Sequence, residues 1–100
     1  MFTHVVVGSN DLAKSKAFYD AVFTAIGGNP GMDMGKRQAY SHKVVNFVVT
    51  TRLNGEPASY ANGGTIGFAM DSAEQLGAWH DAGVAAGGTS CEDLPGVRDL

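Results

Sequence analysis

The sequence predicts an α+β domain built from two repeated βαβββ modules, the second of them incomplete. Two observations predict it: segments dense in β-branched residues alternate with segments of helical spacing, and the order of the first half restarts in the second. One hundred residues hold a single core of ordinary size. We therefore expect one domain over 1–100, with module one at about 1–55 and module two at about 64–100.

A strand and a capped helix open the chain. Residues 2–8 contain three consecutive valines, which favour a strand because β-branched side chains fit a pleated sheet. Asp11 and its neighbours can accept hydrogen bonds from the free amides of a first helical turn, and apolar residues then recur at helical spacing. We predict a helix over residues 12–26 that ends at Gly27-Gly28.

A loop and two further strands complete module one. Residues 29–35 are rich in glycine and proline and are predicted as a loop or a very short strand. Residues 37–41 and 44–51 are predicted strands, the second dense in β-branched side chains. Asn54-Gly55 then indicates a turn.

The same order restarts at Thr65. Residues 65–70 predict a strand, and Ser72 with Gln75 predicts the capping box of a helix that ends at Gly87-Gly88. Residues 89–92 could begin another strand before the turn at Pro95-Gly96.

A single offset of 61 residues relates the two halves. Helix cap, helix interior and closing glycine coincide without a gap in the pairs His4 and Thr65, Asp11 and Ser72, Phe18 and Trp79, Asp20 and Asp81, and Gly27 and Gly88. A shared helical period explains some of these matches but not the strand, the cap and both helix ends together. We infer an internal duplication.

The offset also predicts a gap in module two. The strand at 44–51 should recur at 105–112, whereas the sequence ends at Leu100. We expect either that the chain is truncated or that another molecule fills the open edge. Because an open strand edge promotes association, we predict a homodimer or an unstable monomer.

Composition excludes several classes of protein. Hydrophobic residues make up 44% of the chain, but no apolar run approaches the roughly 20 residues that span a bilayer, and no secretion signal opens the sequence. A net charge of −3 argues against a nucleic-acid partner. The lone Cys91 excludes an intrachain disulfide and a cysteine-rich zinc site. We expect a cytoplasmic protein that binds neither membrane nor nucleic acid.

The motifs resemble those of one family. The runs His4-Val5-Val6-Val7, Asn10-Asp11-Leu12 and Ala17-Phe18-Tyr19-Asp20 resemble the opening of the vicinal oxygen chelate superfamily, which includes glyoxalase I, bleomycin-resistance proteins and extradiol dioxygenases. Gly63-Gly64-Thr65-Ile66-Gly67-Phe68 and a helix ending in Ala86-Gly87-Gly88 resemble its second module. The resemblance implies paired modules whose mixed sheet curves around a cleft, with a divalent metal in some members and only a hydrophobic ligand in others.

The metal ligands that the resemblance implies are mostly missing. His4 matches the first ligand position, but its repeat equivalent is Thr65, the expected carboxylate falls near Val48, and the fourth position lies past Leu100. A metal usually needs three or four N, O or S donors. We expect no cofactor in this chain alone, and Zn, Ni, Mn or Fe only where a second chain completes the site.

Strand alternation predicts the lining of the cleft. If the side chain of His4 points into it, Val5 and Val7 face the helix instead. The same alternation gives the full set of candidate ligand-binding residues, His4, Val6, Asn46, Val48, Thr50, Thr65 and Gly67. For Asn46, Val48 and Thr50 a half-exposed sheet face is an equally good interpretation. His4 is favoured as a hydrogen-bonded histidine over a ligand or proton-transfer residue. Catalytic residues stay unassigned.

Two further groups of residues have competing interpretations. Aromatic side chains at helical spacing could stack on a ligand but are favoured as core, namely Phe18, Tyr19 and Trp79. Basic residues in the middle of the chain could receive an anionic substrate but are favoured as a solvated face, namely Lys36, Arg37, His42, Lys43 and Arg52. The acidic end with Glu92, Asp93 and Asp99 could pair with this basic face in another copy.

Three functions remain open. The preferred one is a metal-independent protein of the bleomycin-resistance type that binds a small hydrophobic or aromatic molecule between the modules. The alternatives are a glyoxalase-like lyase or isomerase whose metal ligands are completed by a second chain, and a degenerate domain that only dimerises.

Overall fold

The computed structural model describes residues 3–43, 45–51, 56–58 and 66–89. Predictions for Phe2, Val44, Asn54-Gly55, Thr65 and residues 90–100, including Cys91, lie outside the described residues. The elements, in chain order, are β1 (His4–Gly8), α1 (Leu12–Ala25), β2 (Met32–Asp33), β3 (Arg37–His42), β4 (Val45–Thr50) and α2 (Ala73–Ala85). Every predicted element of module one is therefore confirmed, to within two residues at each described end.

The four strands form one mixed sheet in the order β1-β4-β3-β2. β1 runs parallel to β4, and the other two pairs are antiparallel. The register places His4 opposite Asn46, Val6 opposite Val48 and Gly8 opposite Thr50. β4 therefore lies in the interior of the sheet, which fits its high content of β-branched and aromatic side chains.

Side-chain caps begin both helices, as predicted. The Asp11 carboxylate accepts the Lys14 N–H at 3.1 Å, and the Ser72 hydroxyl accepts the Gln75 N–H at 3.1 Å. The Gln75 amide oxygen accepts from the Asp71 N–H at 2.6 Å, so the capping box closes one residue earlier than predicted. Neither described helix, at 14 and 13 residues, is long and apolar enough to cross a membrane.

The two helices end on glycines with positive φ, Gly27 at 84° and Gly87 at 109°. A left-handed residue at this position ends a helix, and glycine adopts it without strain. These two glycines lie 60 positions apart. The pairing of Gly27 with Gly88 is therefore wrong by one residue, because α2 is one residue shorter than α1.

The core lies between the helices and one face of the sheet. Its fully packed members are Val22, Phe23, Tyr40, Phe47 and Val49. The Phe23 ring is at its centre, stacked 4.8 Å from Tyr40 and edge-on to Trp79 at 5.2 Å. Phe18, Tyr19 and Trp79 all pack against this cluster. The prediction that they are core residues is confirmed.

Asp20 joins α1 to β3 and to the loop before β2. One carboxylate oxygen accepts the Gly31 N–H at 2.8 Å and the Tyr40 hydroxyl at 2.7 Å, and the other accepts the Lys16 ammonium at 2.6 Å. Partial burial opposes ionisation, but these three donors hold the pKa of Asp20 below its usual range. Burial, followed by the hydrogen bond to the Asp20 carboxylate, raises the pKa of Tyr40.

A second βαβββ module is not formed by the described residues. Residues 66–70 belong to neither a strand nor a helix, so the strand predicted at 65–70 is not seen there. In module one, β1 hydrogen-bonds to β4. Among the described residues, no strand pairs with residues 66–70 in the equivalent way. The structure is an α+β domain with one four-stranded mixed sheet and two helices.

Candidate functional site

The sheet brings five of the predicted cleft residues together on one face. His4 and Val6 on β1 alternate with Val5 and Val7, which pack against the core, so the predicted alternation is confirmed. The register then places Asn46, Val48 and Thr50 beside them on β4. This open face lies opposite the helices. Of the two remaining predicted residues, Thr65 lies outside the described residues. Gly67 lies in the described segment 66–70 that precedes α2.

Exposure varies along this open face. Val6 is 45% exposed and His4 and Asn46 are exposed, whereas Thr50 is only 4% exposed. At the Thr50 end, the segment 56–58 passes close to Gly8, where an added Cβ would lie 3.2 Å from the Ala58 Cβ. The open face is therefore accessible at its His4 end.

The Asn10 side chain fixes the position of Ala58. Its amide oxygen accepts the Ala58 N–H at 2.7 Å, and its amide nitrogen donates to the Ala58 carbonyl at 2.9 Å. A two-point bond to backbone is a specific use of asparagine, which the sequence explained only as part of a helix cap.

Among the residues that the structure describes, His4 has no neighbours that would complete a metal site. Its Nδ1 lies 2.9 Å from the Thr3 hydroxyl, and its partner across the sheet is Asn46. No group of three His, Cys, Asp or Glu side chains that could hold a metal ion occurs in the described ranges. The described donors around His4 do not fit the three or four ligands that a first-row metal requires.

An apolar opening lies on the helix side of the sheet. This apolar cavity has a volume of about 340 Å³ and is lined by Val5 and residues 42–43, 45–47 and 66–69. Module one provides one wall, and the segment at which the repeat restarts provides the other. Asn46 and Gly67 are the predicted residues that contribute to it.

Val5, which strand alternation placed against the helix, also lines the apolar cavity. Val5, Phe47 and Phe68 occupy alternating positions that face the helices, where an apolar side chain is ordinarily part of the packed interior. The repeat of the strand–helix order near residue 65 could have revealed these lining residues. The described segment 66–70 does not pair with β1 and leaves a space beside the core. Gly67 adds to this space, since a side chain built there would meet no atom within 4 Å.

His42 does not belong to the solvated basic face to which the sequence assigned it. The residue alternates with Gln38 and Tyr40, which are buried on the helix side, whereas Arg37 has the opposite parity. Its Nε2 lies 2.7 Å from the Ala69 carbonyl. A carbonyl only accepts hydrogen bonds, so Nε2 carries the proton and the ring is held across the cavity wall.

A second, polar cavity adjoins the first. It has a volume of about 200 Å³ and lies where α1 ends and α2 begins, lined by Phe23, residues 26–28 and 41–43, Asp71 and Gln75. The Gln75 amide nitrogen also donates to the Ile26 carbonyl at 3.2 Å, which ties the two helices together there. His42 and Lys43 line both cavities.

Lys43 forms an ion pair across the mouth of the polar cavity. Its backbone has a positive φ of 56°, in the turn between β3 and β4, and its ammonium group pairs with the Asp71 carboxylate. The hydrogen bond and charge of Lys43 hold the pKa of Asp71 below its usual range. Both side chains are well exposed, at 43% for Lys43 and 68% for Asp71, so the pair is only weakly stabilising.

Comparison with known proteins agrees with this architecture. The model of the glyoxalase/bleomycin resistance protein/dioxygenase superfamily matches residues 1–96, and the chain belongs to that family. It is 50% identical to a glyoxalase/bleomycin resistance protein from Albidiferax ferrireducens T118, whose crystal structure superposes with a TM-score of 0.94. The match covers 99% of this chain and 80% of that chain. A comparison with curated proteins found no match. The resemblance inferred from the sequence is confirmed.

Proposed function

We propose that this protein binds a small hydrophobic or aromatic molecule, without a metal, in the apolar cavity. The observation that carries the proposal is the origin of the cavity walls. One wall comes from the module-one sheet and the other from residues 66–69, where the repeat restarts. The cavity thus lies between residues from the first and the second half of the chain, which supports a ligand site there.

The size and the walls of the apolar cavity favour a compact ring system. Its volume of about 340 Å³ lies at the small end of the roughly 300–1,000 Å³ of ligand pockets. A cavity of about 150 Å³ already holds benzene, so two fused rings fit here. The rings of Phe47 and Phe68 stand edge to face at 5.3 Å and form an aromatic surface for such a ligand.

Only modest affinity is expected for a bare ring system. Removing about 150 Å² of apolar ligand surface from water provides roughly 4 kcal/mol before the costs of association. A ligand-observed NMR titration suits this range because it detects weak binding. The probe is 2-naphthalenemethanol, a neutral molecule with two fused rings.

Val45→Phe tests where the probe binds. Val45 lines the apolar cavity and is only partly buried, so a larger side chain there fills the cavity without displacing the packed core. Val84→Phe is the matched control, because Val84 is 46% exposed on α2 and lines neither cavity. We expect wild type and Val84→Phe to bind the probe and Val45→Phe to lose binding. Thermal unfolding of all three proteins checks that each is folded.

Two outcomes would overturn the proposal. One is a wild-type protein that leaves the probe signals unchanged at millimolar concentration. The other is folded Val45→Phe protein that binds as well as wild type, since the probe would then lie elsewhere, for example on the open face around Val6.

A further inference from the structure

The apolar cavity has polar groups at one end only. His42 and Lys43 stand where the apolar cavity meets the polar cavity, whereas the side chain of Asn46, the other polar residue of the lining, shares the open face with His4. All other lining side chains are aliphatic or aromatic, or are absent as in Gly67. A ligand that fills the apolar cavity therefore meets hydrogen-bonding groups at a single end.

These groups differ in how free they are to bind a ligand. The Nε2 proton of His42 is already donated to the Ala69 carbonyl, which keeps the ring in place between the two cavities. The Lys43 ammonium is 43% exposed, and its partner Asp71 is 68% exposed. Exposed ion pairs of this kind are weak, so a ligand group can replace the carboxylate at little cost.

The sign of the ligand charge follows from which residue reaches which cavity. Lys43 lines both cavities, whereas Asp71 lines only the polar one. A group at the polar end of the apolar cavity therefore meets the cation before it meets the carboxylate. A carboxylate accepts hydrogen bonds from such an ammonium group.

We propose that the apolar cavity selects an aromatic carboxylate, whose rings lie against Phe47 and Phe68 and whose anionic group binds the Lys43 ammonium. This inference rests on the proposed function and names the ligand class for the same cavity. His42 acts as the partition that keeps the ring system in the apolar cavity and its charged end at the junction.

The test compares two probes that share one ring system. 2-Naphthoate carries a carboxylate where 2-naphthalenemethanol carries a neutral hydroxymethyl group, so the ratio of their dissociation constants isolates the charge. We expect wild type to bind 2-naphthoate about fivefold more tightly, the size of effect typical of one partly exposed charged hydrogen bond. Both titrations are followed by ligand-observed NMR at low ionic strength.

Three variants assign the preference to Lys43. Lys43→Gln removes the charge and keeps the chain length, and it should reduce the ratio to near one. Lys36→Gln makes the same change in net charge at an exposed residue that lines neither cavity, and it should leave the ratio unchanged. Asp71→Asn frees the ammonium from its partner, and it should increase the ratio.

The opposite directions separate ligand binding from a structural effect. If the ion pair mattered only for holding the two segments together, Lys43→Gln and Asp71→Asn would weaken both probes alike. Equal binding of the two probes, or an unchanged ratio in Lys43→Gln, would overturn this inference while leaving the proposed function standing. Failure of both probes to bind wild type would overturn the two together.

Discussion

Replacing Asp20 by asparagine tests how module one is held together. The carboxylate accepts the Gly31 N–H, the Tyr40 hydroxyl and the Lys16 ammonium, at 2.6 to 2.8 Å. Asparagine keeps one acceptor oxygen but turns an N–H₂ group towards Lys16. Loss of the partly exposed i, i+4 pair costs about 0.3–0.5 kcal/mol. Loss of charge from the two other hydrogen bonds brings the total to roughly 1–2 kcal/mol.

Asp81→Asn is the matched control for this change. Asp81 is the repeat equivalent of Asp20 at the 61-residue offset, and it is an exposed residue of α2. Its side chain makes no hydrogen bond within the part of the chain that the structure describes. Thermal unfolding should show Asp20→Asn melting about 5–15 °C below wild type, and Asp81→Asn within a few degrees of it.

The dependence on pH provides a second measurement of the same contacts. The pKa of Asp20 in the folded chain is lowered from an unfolded value of about 3.9. The ionised carboxylate therefore contributes its full stabilisation above about pH 5, and this contribution is lost as the pH falls through the folded pKa. The difference between wild type and Asp20→Asn should shrink steadily below about pH 4.

Equal destabilisation by Asp20→Asn and Asp81→Asn would refute the assignment. So would a difference that stays constant from pH 7 to pH 3, because the effect would then be independent of the charge.

Three other predictions concern the contact between Gly31 and Tyr40, metal binding and the oligomeric state. Gly31→Ala should lower stability by about 1–3 kcal/mol in urea unfolding, since the new Cβ would lie 2.6 Å from the Tyr40 Cζ; an unchanged midpoint would contradict this contact. Protein loaded with Zn, Ni, Mn or Fe(II) and desalted should retain no stoichiometric metal by elemental mass spectrometry, and metal that disappears in His4→Ala would show that a second chain completes the site. Light scattering should give twice the 10.4 kDa chain mass if a second copy fills the edge that the sequence leaves open in module two; a monomer at high concentration would rule this out.

Local chemistry was enough to predict module one. The caps at Asp11 and Ser72 and the closing Gly27 depend on residues within a few positions of each helix end, so the sequence contains all the information needed. Alternation along β1 and β4 likewise predicted which side chains share the open face, because the period of a strand is two.

Contacts between distant segments could not be predicted in the same way. Nothing near Asp20 indicates that its carboxylate meets Gly31 and Tyr40, which come together only when β3 packs on α1. His42 is a similar case, because its side chain faces Phe68 and Ala69 from the other half of the chain. The strand predicted at 65–70 illustrates the reverse error, since β propensity forms no strand without a hydrogen-bonding neighbour.

Trp79 is an intrinsic fluorescence probe for this protein. It is the single tryptophan of the chain, and its ring lies 5.1 Å from that of Phe68, which lines the apolar cavity, and 5.2 Å from Phe23 at the centre of the core. Emission from this one indole therefore responds both to a molecule that enters beside Phe68 and to loosening of the interior around Phe23. Quenching by acrylamide distinguishes the two events, because occupancy shields the indole whereas unfolding exposes it, so an unlabelled sample can report binding and stability in one cuvette.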